Sequence, residues 1–199
     1  MNKNLKIFCV TNKHYKYLNK VNYNLAAVGK NRFPKNYIRC DKGKNIFYKE
    51  EYYSELTFHY WFWKNELKKY KSKNIWLGFC QKRRFWLKKK SNRFQINNLL
   101  KTVEKKWKGY DSVICDRIYI NNPRFMKMIK RGWKNIIKDP SLLYEKKKQT
   151  IKLHFDMFHG YGNIDYAINV MHKKDRNDFR KFIYKSQNFN PHIMFITKP

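Results

Sequence analysis

The sequence predicts an α/β fold in which helices flank a mixed central sheet. Short apolar runs of strand length alternate along the chain with segments whose apolar residues recur at helical spacing. Hydrophobic residues make up 42% of the 199 residues, which is enough to form a sizeable core. Because the sequence contains no internal repeat and no linker rich in Ser and Gly, we predict a single domain over residues 1–199 with a helix-rich last third.

Five apolar runs are predicted to form the strands of this sheet. Each run is short and is bounded by polar or turn-forming residues, as strands usually are. In chain order the runs are Leu5–Thr11, Leu25–Gly29, Asn74–Cys80, Asp111–Cys115 and His192–Ile196.

The segments between these runs carry helical patterns. From residue 51 to about residue 69, spacings of three and four residues predict one helix with a broad aromatic face, formed by Tyr53, Leu56, Tyr60, Trp63 and Leu67. A stripe at this spacing, with Trp61 beside it, is more often core than a platform for stacking bases. Further helices are predicted over about residues 94–107, 140–158, 164–172 and 175–185.

The charge of the chain has two explanations, and the sequence leaves both open. The 46 Lys and Arg against 14 Asp and Glu give a formal net charge of +32. Such an excess attracts nucleotides, nucleic acids and anionic membrane surfaces. Lys, Asn, Ile, Tyr and Phe are also the residues that A/T-rich codons specify. A nucleotide-biased genome would therefore produce the same composition without selection for binding.

The four cysteines, Cys9, Cys40, Cys80 and Cys115, lie far apart and match no zinc-finger spacing. Three of them lie in or beside predicted strands, where buried thiols are common. No signal peptide precedes them, and no apolar stretch approaches the ~18 residues of a membrane span. We therefore expect reduced thiols and a cytoplasmic location, including peripheral contact with the inner face of the cell membrane.

Several well-known site motifs are absent from the sequence. There is no Gly-rich dinucleotide or Walker-type loop, no Gly-x-Ser-x-Gly elbow and no Asp-x-Asp pair of the kind that holds a divalent metal. On a helix, His154 and His159 would point roughly 140° apart, so we do not expect them to bind a metal together with Asp156. The sequence therefore predicts no cofactor and leaves the requirement for a divalent metal open.

Polar residues that follow the predicted strands are the candidate ligand-binding residues. In open α/β sheets, ligands bind outside the carboxyl ends of the strands. These residues form four groups, each of which follows one predicted strand. Three of the four groups contain basic residues, which favours a diphosphate ligand. The groups are Thr11, Asn12 and Lys13; Gly29 and Lys30; Gln81 to Arg84; and Asp116.

Three motifs carry a resemblance to a known family. They are Asp41-x-Gly43-x-Asn45-Ile46; Tyr52-Tyr53-x-Glu55-Leu56-Thr57-x-x-Tyr60-Trp61-x-Trp63-Lys64-Asn65; and Leu77-Gly78-x-Cys80-x-x-Arg83-Arg84-Phe85. With Val10-Thr11-x-Lys13 near the start and Met194-Phe195-Ile196 near the end, the sequence resembles the domain of unknown function 4422 family of bacterial capsule and surface-polysaccharide proteins. The resemblance spans nearly the whole chain. It departs from the family pattern at Asn12, Gln81-Lys82 and Ile193. Because family members tend to continue past the last motif, a C-terminally shortened domain is expected.

The resemblance implies a single GT-A-like domain, the nucleotide-diphospho-sugar transferase architecture, and a hexosyltransferase-like glycosyltransferase of surface-polysaccharide synthesis. Its partners would be a nucleoside diphosphate sugar donor and a glycan or lipid-linked glycan acceptor. Arg83 and Arg84 stand where related folds carry the metal-binding Asp-x-Asp, so two guanidinium groups are expected to neutralise the leaving diphosphate without a metal. Glu55 or Asp41 is expected to orient the sugar or to accept a proton. The expected nucleotide-sugar-binding residues are Thr11, Lys13, Gly29, Lys64, Asn65, Arg83 and Arg84.

Two other functions stay open at the level of sequence. A diverged chain of this family can be a catalytically inactive glycosyltransferase relic. A basic surface interleaved with Tyr and Trp also suits a nucleic-acid-binding protein. The Lys residues are spread along the whole chain and do not gather in one tail or helix. Nucleic acid is therefore the less favoured partner.

Overall fold

The computed structural model describes residues 4–71, 73–91, 93–120 and 125–199. Its strands are β1 (Leu5–Thr11), β2 (Asn24–Ala27), β3 (Ile38–Arg39), β4 (Trp76–Gln81), β5 (Ser112–Ile114), β6 (Ile118–Tyr119), β7 (Asn188–Phe189) and β8 (Phe195–Thr197). Its α-helices are α1 (Glu50–Tyr53), α2 (Leu56–Asn65), α3 (Phe125–Lys138), α4 (Ile151–His159), α5 (Asn163–Val170) and α6 (Lys173–Lys185). No helix in these described ranges combines the length and the apolar character that crossing a membrane requires.

The chain forms two compact units. The first comprises Met1–Cys115 and His192–Pro199, and the second comprises Asp116–Pro191. The single domain expected over residues 1–199 stays a prediction. The first unit contains a six-stranded mixed sheet in the order β3-β2-β1-β4-β8-β5, in which β1 to β4 are parallel. Strand β8 is antiparallel to both of its neighbours. The predicted α/β class with a mixed sheet flanked by helices is confirmed.

Strand β1 is buried on both of its faces, as a central strand of a parallel sheet should be. Ile7 and Cys9 join one core cluster, whereas Phe8 and Val10 join another on the opposite face. The ring of Phe8 lies 5.8 Å from that of Phe58 and 4.9 Å from that of Phe62, both on α2. Helix α2 therefore covers the Phe8 face of the sheet.

The single helix predicted over residues 51–69 is interrupted, and its predicted core face is wrong. Ser54 has a φ of 44°, which separates α1 from α2. Thr57, Phe58 and Phe62 are the buried residues of α2, whereas Tyr53, Leu56 and Trp63 are exposed. Apolar side chains occupy most positions of this segment, so their spacing does not select one face. Packing against the sheet determines which face of α2 is buried.

Two other helix predictions also need correction. In place of the helix over residues 94–107, the chain forms two short 3-10 turns, Ile96–Asn98 and Lys105–Trp107. The backbone N–H of Leu100 donates to the Trp86 carbonyl at 2.9 Å, so this segment pairs with the preceding chain. The segment from residue 140 forms two further 3-10 turns, and α4 begins only at Ile151.

The second unit contains α3 to α6 and the two-stranded sheet of β6 and β7. Helices α5 and α6 lie close to their predicted positions, whereas α3 was not predicted. The main core cluster of this unit consists of Ile120, Ile151, Ile164, Ile168 and Ile183.

Candidate functional site

The carboxyl ends of the parallel strands meet at one edge of the six-stranded sheet. Thr11 is in register with Ala27, and Ala27 is in register with Arg39. On the other side of β1, Val10 is in register with Gln81. The polar segments that follow these strands therefore leave the sheet at the same edge, which we call the carboxyl edge. It carries residues 11–13, 28–30, 40–41 and 82–84.

The turn after β1 is shaped by Thr11, whose side chain is fully buried. Its hydroxyl donates to the Lys13 carbonyl at 2.6 Å and accepts from the Lys13 backbone N–H at 3.2 Å. The Thr11 carbonyl accepts from the N–H of Val28 at 3.0 Å, which joins this turn to the segment after β2. Thr11 thus holds the backbone of the turn, and the side chain of Lys13 is exposed.

The turn after β4 is closed by a hydrogen bond from the Arg84 N–H to the Gln81 carbonyl at 3.1 Å. Lys82 connects this turn to the turn after β1, because its ammonium donates to the Asn12 side-chain oxygen. Arg83 and Arg84 are exposed. Neither guanidinium forms a hydrogen bond or an ion pair with any residue that the structure describes. The two arginines are therefore exposed cations of this edge, as Lys13 is.

Arg39, at the end of β3, connects three segments of the carboxyl edge and was not among the predicted site residues. Its guanidinium donates to the Gly29 carbonyl at 3.4 Å and to the Asn31 carbonyl at 3.3 Å. It also forms an ion pair with Asp41 at 3.3 Å. Of the two predicted catalytic carboxylates, Glu55 and Asp41, it is Asp41 that forms an ion pair.

Gly29 lets a carboxylate approach the backbone at this edge. It has a φ of +78°, in the left-handed region that favours glycine. A Cβ at this position would lie 2.9 Å from Oε2 of Glu50, the first residue of α1. Glu50 was not predicted either. The only signal for it in the sequence is the adjacent acidic pair, Glu50 and Glu51, in a chain that is poor in acids.

Motif residues hold the loop over residues 41–45 in place. Asn65 accepts from the Lys44 N–H at 3.1 Å and donates to the Lys44 carbonyl at 2.9 Å and to the Trp61 carbonyl at 2.8 Å. The indole of Trp61 donates to the Lys42 carbonyl at 2.7 Å. Gly43, with a φ of +70°, lies directly against the Asn65 side chain. The side chain of Asn65 is thus engaged within the protein.

Lys64, the neighbouring predicted residue, lies against an aromatic ring. Its ammonium is 3.3 Å from the ring centroid of Trp63 and 5.7 Å from that of Tyr60. Trp63 is exposed, so this cation–π contact lies on the solvent side of α2.

Helix α2 begins near the carboxyl edge. Burial raises the pKa of the Cys40 thiol at this edge to about 11, and Thr57, in the first turn of α2, lies close enough to lower that pKa against the larger effect of burial. Toward the other end of the helix, Phe62 stacks on Tyr70, whose hydroxyl accepts from Lys6 near the start of β1. The half-buried Glu55, which precedes α2, therefore lies on the carboxyl-edge side of the sheet.

Glu55 acts electrostatically on His59, one helical turn further along. Burial lowers the pKa of His59 to about 4, and the charge of Glu55 opposes this shift. The imidazole packs 4.7 Å from the ring of Phe79 and 5.5 Å from that of Phe195. His59 is consequently a neutral ring at pH 7, held between aromatic side chains of β4 and β8.

The carboxyl edge thus combines cations with three carboxylates. Lys13, Arg83 and Arg84 supply exposed positive charge, and Asp41, Glu50 and Glu55 supply the acids. Within the described ranges, no group of three His, Cys, Asp or Glu side chains could hold a metal ion. Such a combination can bind an anionic ligand and can accept a proton.

Comparisons with known proteins relate the chain to one family and one solved structure. The sequence profile of the family described as "Domain of unknown function (DUF4422)" matches residues 6–198. No curated protein matches the chain. A solved structure, the WbbM bifunctional glycosyltransferase in its apo form, superimposes with a TM-score of 0.64 at 18% identity, over 98% of this chain and 34% of that one. The chain spans about a third of the length of that structure. The likeness shows a GT-A-like fold, as expected from the sequence.

Proposed function

Because the chain belongs to the DUF4422 family and has a glycosyltransferase-like fold, we propose that it transfers a sugar from a nucleoside diphosphate sugar to a glycan or lipid-linked glycan. The observation that carries the proposal is the pair of exposed arginines, Arg83 and Arg84, at the carboxyl edge of a GT-A-like sheet. In open α/β sheets this edge is where ligands bind. Surface-polysaccharide synthesis is the process we propose for it.

In this proposal the basic turns hold the donor diphosphate. Arg83 and Arg84 neutralise the charge that develops on the leaving diphosphate, as guanidinium clamps do. Lys13 adds a third cation from the turn that Thr11 shapes. Gly29 is assigned a backbone contact with the nucleotide, on the side away from the Glu50 carboxylate that fills its Cβ position. No divalent metal is required in this scheme.

Carboxylates of the same edge act on the acceptor or orient the sugar. As the acceptor oxygen attacks the anomeric carbon, its bond to hydrogen breaks and the proton passes to a carboxylate, while the bond to the diphosphate breaks. We assign the proton-accepting or sugar-orienting role to Glu55 or Asp41, and the structure adds Glu50 as a third candidate. Asn65 contributes by holding the loop that carries Asp41. Lys64, which precedes Asn65 in the same motif, lies over Trp63 on the solvent side of α2.

Calorimetric titration with uridine, guanosine and cytidine diphosphate sugars tests the proposal. The double variant Arg83→Ala/Arg84→Ala should bind the donor about ten-fold or more weakly, because each lost charge-assisted bond is worth roughly 1.5–3 kcal/mol. The control Lys89→Ala/Lys90→Ala removes two exposed charges from the same unit and should leave the affinity unchanged. Circular dichroism verifies that both variants are folded.

Three results would contradict this assignment. An unchanged affinity in the arginine variant excludes the diphosphate clamp, and complete loss of binding in EDTA excludes the metal-free scheme. Binding of an oligonucleotide without binding of any nucleotide sugar excludes the enzyme. Release of nucleoside diphosphate in the presence of a glycan acceptor distinguishes an active transferase from a relic that only binds the donor.

A further inference from the structure

Helix α3 exposes an apolar face to solvent. Its members are Met126, Ile129, Trp133 and Ile137, which are 60%, 41%, 51% and 71% exposed. At 100° per residue, they fall within about 80° of the helix circumference. We call this set the α3 apolar face. Exposed apolar patches of this kind commonly mark an interaction surface.

A different side of α3 packs into the core, and its basic side also touches the protein, with Lys127 and Arg131 over the ring of Phe158 and Lys134 and Lys138 over that of Tyr161. Met128 and Gly132 are its buried residues and pack toward α4. A Cβ at residue 132 would lie 3.3 Å from Cγ of Met157, so the two helices approach closely there. The α3 apolar face lies beside this packing side and remains unused within the described protein.

The third side of α3 is basic. The helix contains five Lys and Arg residues and no Asp or Glu, and its basic residues are Lys127, Lys130, Arg131, Lys134 and Lys138. The ammonium of Lys134 lies 5.5 Å from the ring centroid of Trp133, so positive charge borders the α3 apolar face directly. On the helical projection, Lys130 borders it beside Ile137 and Met126.

We propose that α3 lies in the headgroup region of an anionic membrane, with the α3 apolar face inserted and its basic side chains on lipid phosphates. A helix with Trp and aliphatic residues on one face and Lys and Arg on the other binds such interfaces. Each basic residue near an anionic surface contributes a further attraction. This inference concerns a partner of the second unit and does not depend on the proposed sugar transfer.

Charge and length favour this occupant over the alternatives. A second copy would bring a chain of net charge +32 against another of +32 and would pair α3 with an equally basic helix. A nucleic acid would contact the cations but would leave Trp133 and Ile137 in water. Fourteen residues span only about 21 Å along the helix axis, against a hydrocarbon core of about 30 Å. An orientation in the plane of the interface therefore fits α3.

Vesicle sedimentation tests the proposal with the full chain. Vesicles of phosphatidylcholine with about one third phosphatidylglycerol should bind the protein, whereas vesicles of phosphatidylcholine alone should bind it far less. The variant Trp133→Gln/Ile137→Gln should bind the anionic vesicles about 30-fold or more weakly, because two inserted side chains are lost. Lys130→Gln should weaken the same binding by about five-fold.

Matched variants distinguish insertion of the α3 apolar face from nonspecific hydrophobic adsorption to the vesicles. The control Tyr166→Gln/Val170→Gln replaces two side chains of α5 that are 72% and 67% exposed, and it should bind like the wild type. Brominated acyl chains in the anionic vesicles should quench the wild-type Trp fluorescence. Trp133→Phe should keep the affinity and lose that quenching. Thermal unfolding verifies that every variant is folded.

Any of three outcomes would overturn the proposal. The first is that the wild type fails to bind anionic vesicles. The second is that the Trp133→Gln/Ile137→Gln variant binds as tightly as the wild type. The third is that sedimentation velocity shows a dimer that this variant dissociates, which would assign the α3 apolar face to a second copy.

Discussion

Lowering the pH should destabilise the protein through His59. The pKa of this buried imidazole is about 4, compared with about 6.5 in an unfolded chain. Because the folded pKa is the lower one, the unfolded state takes up the proton first. The stability that depends on a neutral His59 is therefore fully present above about pH 6.5 and is lost as the pH falls toward 4. The difference between the two pKa values corresponds to about 3 kcal/mol at pH 4.

Denaturant unfolding of wild type and His59→Phe, followed from neutral to acidic pH, measures this contribution. The phenyl ring can occupy the space between Phe79 and Phe195 but cannot take up a proton. The variant should therefore lose about 3 kcal/mol less stability than the wild type between pH 7 and pH 4. His172→Gln, at an exposed histidine, should retain the wild-type pH dependence.

The electrostatic cause can be measured separately. Because the charge of Glu55 raises the pKa of His59 against the effect of burial, Glu55→Gln should lower that pKa further, as followed by NMR titration of the imidazole. Identical pH dependence of stability in wild type and His59→Phe would refute the reasoning. So would a His59 resonance that titrates near pH 6.5.

Three further outcomes are expected. Gly43→Ala should destabilise the protein by about 2 kcal/mol in thermal unfolding, because the new Cβ meets Asn65 and the backbone is left-handed there; an unchanged Tm would contradict the loop geometry. Asp156→Ala should cost about 2 kcal/mol, because the buried Asp156 carboxylate pairs with Lys152 and accepts from the Gly162 N–H, while Lys152 keeps its second partner, Asp165; Asp178→Ala at an exposed acid should cost little. Alkylation followed by mass spectrometry should modify all four cysteines, in agreement with the absence of any disulfide among the described residues, which include all four; a stoichiometric intramolecular bridge would contradict this.

Strands were predicted from the sequence more accurately than helices, and the reason is physical. A strand buried on both faces is a continuous apolar run, so β1 and β4 stand out from the polar segments beside them. Strand β3 has only two residues and exists through its pairing with β2, which no local pattern indicates. Residues 94–107 carry a helical pattern, but their backbone groups pair with the preceding segment instead.

The rule of strand ends predicted that the segments after β1, β2 and β4 share one edge of the sheet, and they do, whereas their binding of a ligand stays a prediction. Thr11, Lys13 and Arg83 leave the sheet together because their strands are parallel and in register. Arg39 and Glu50 escaped prediction because their positions depend on tertiary contacts. The first requires β3, and the second requires the approach of α1 to Gly29.

Strand β8 determines the order in which the strands of the sheet can pair while the chain is being translated. It lies between β4 and β5, so β5 reaches the rest of the sheet only through residues 195–197. During synthesis, β5 emerges before residues 116–191 and cannot pair until they have been made, because its pairing partner β8 follows them in the chain. The second unit can assemble during that interval, since domains generally fold as they emerge. A ribosome that stalls just before residue 195 would leave β4 and β5 with open edges, the kind of surface that invites aggregation and recognition by chaperones.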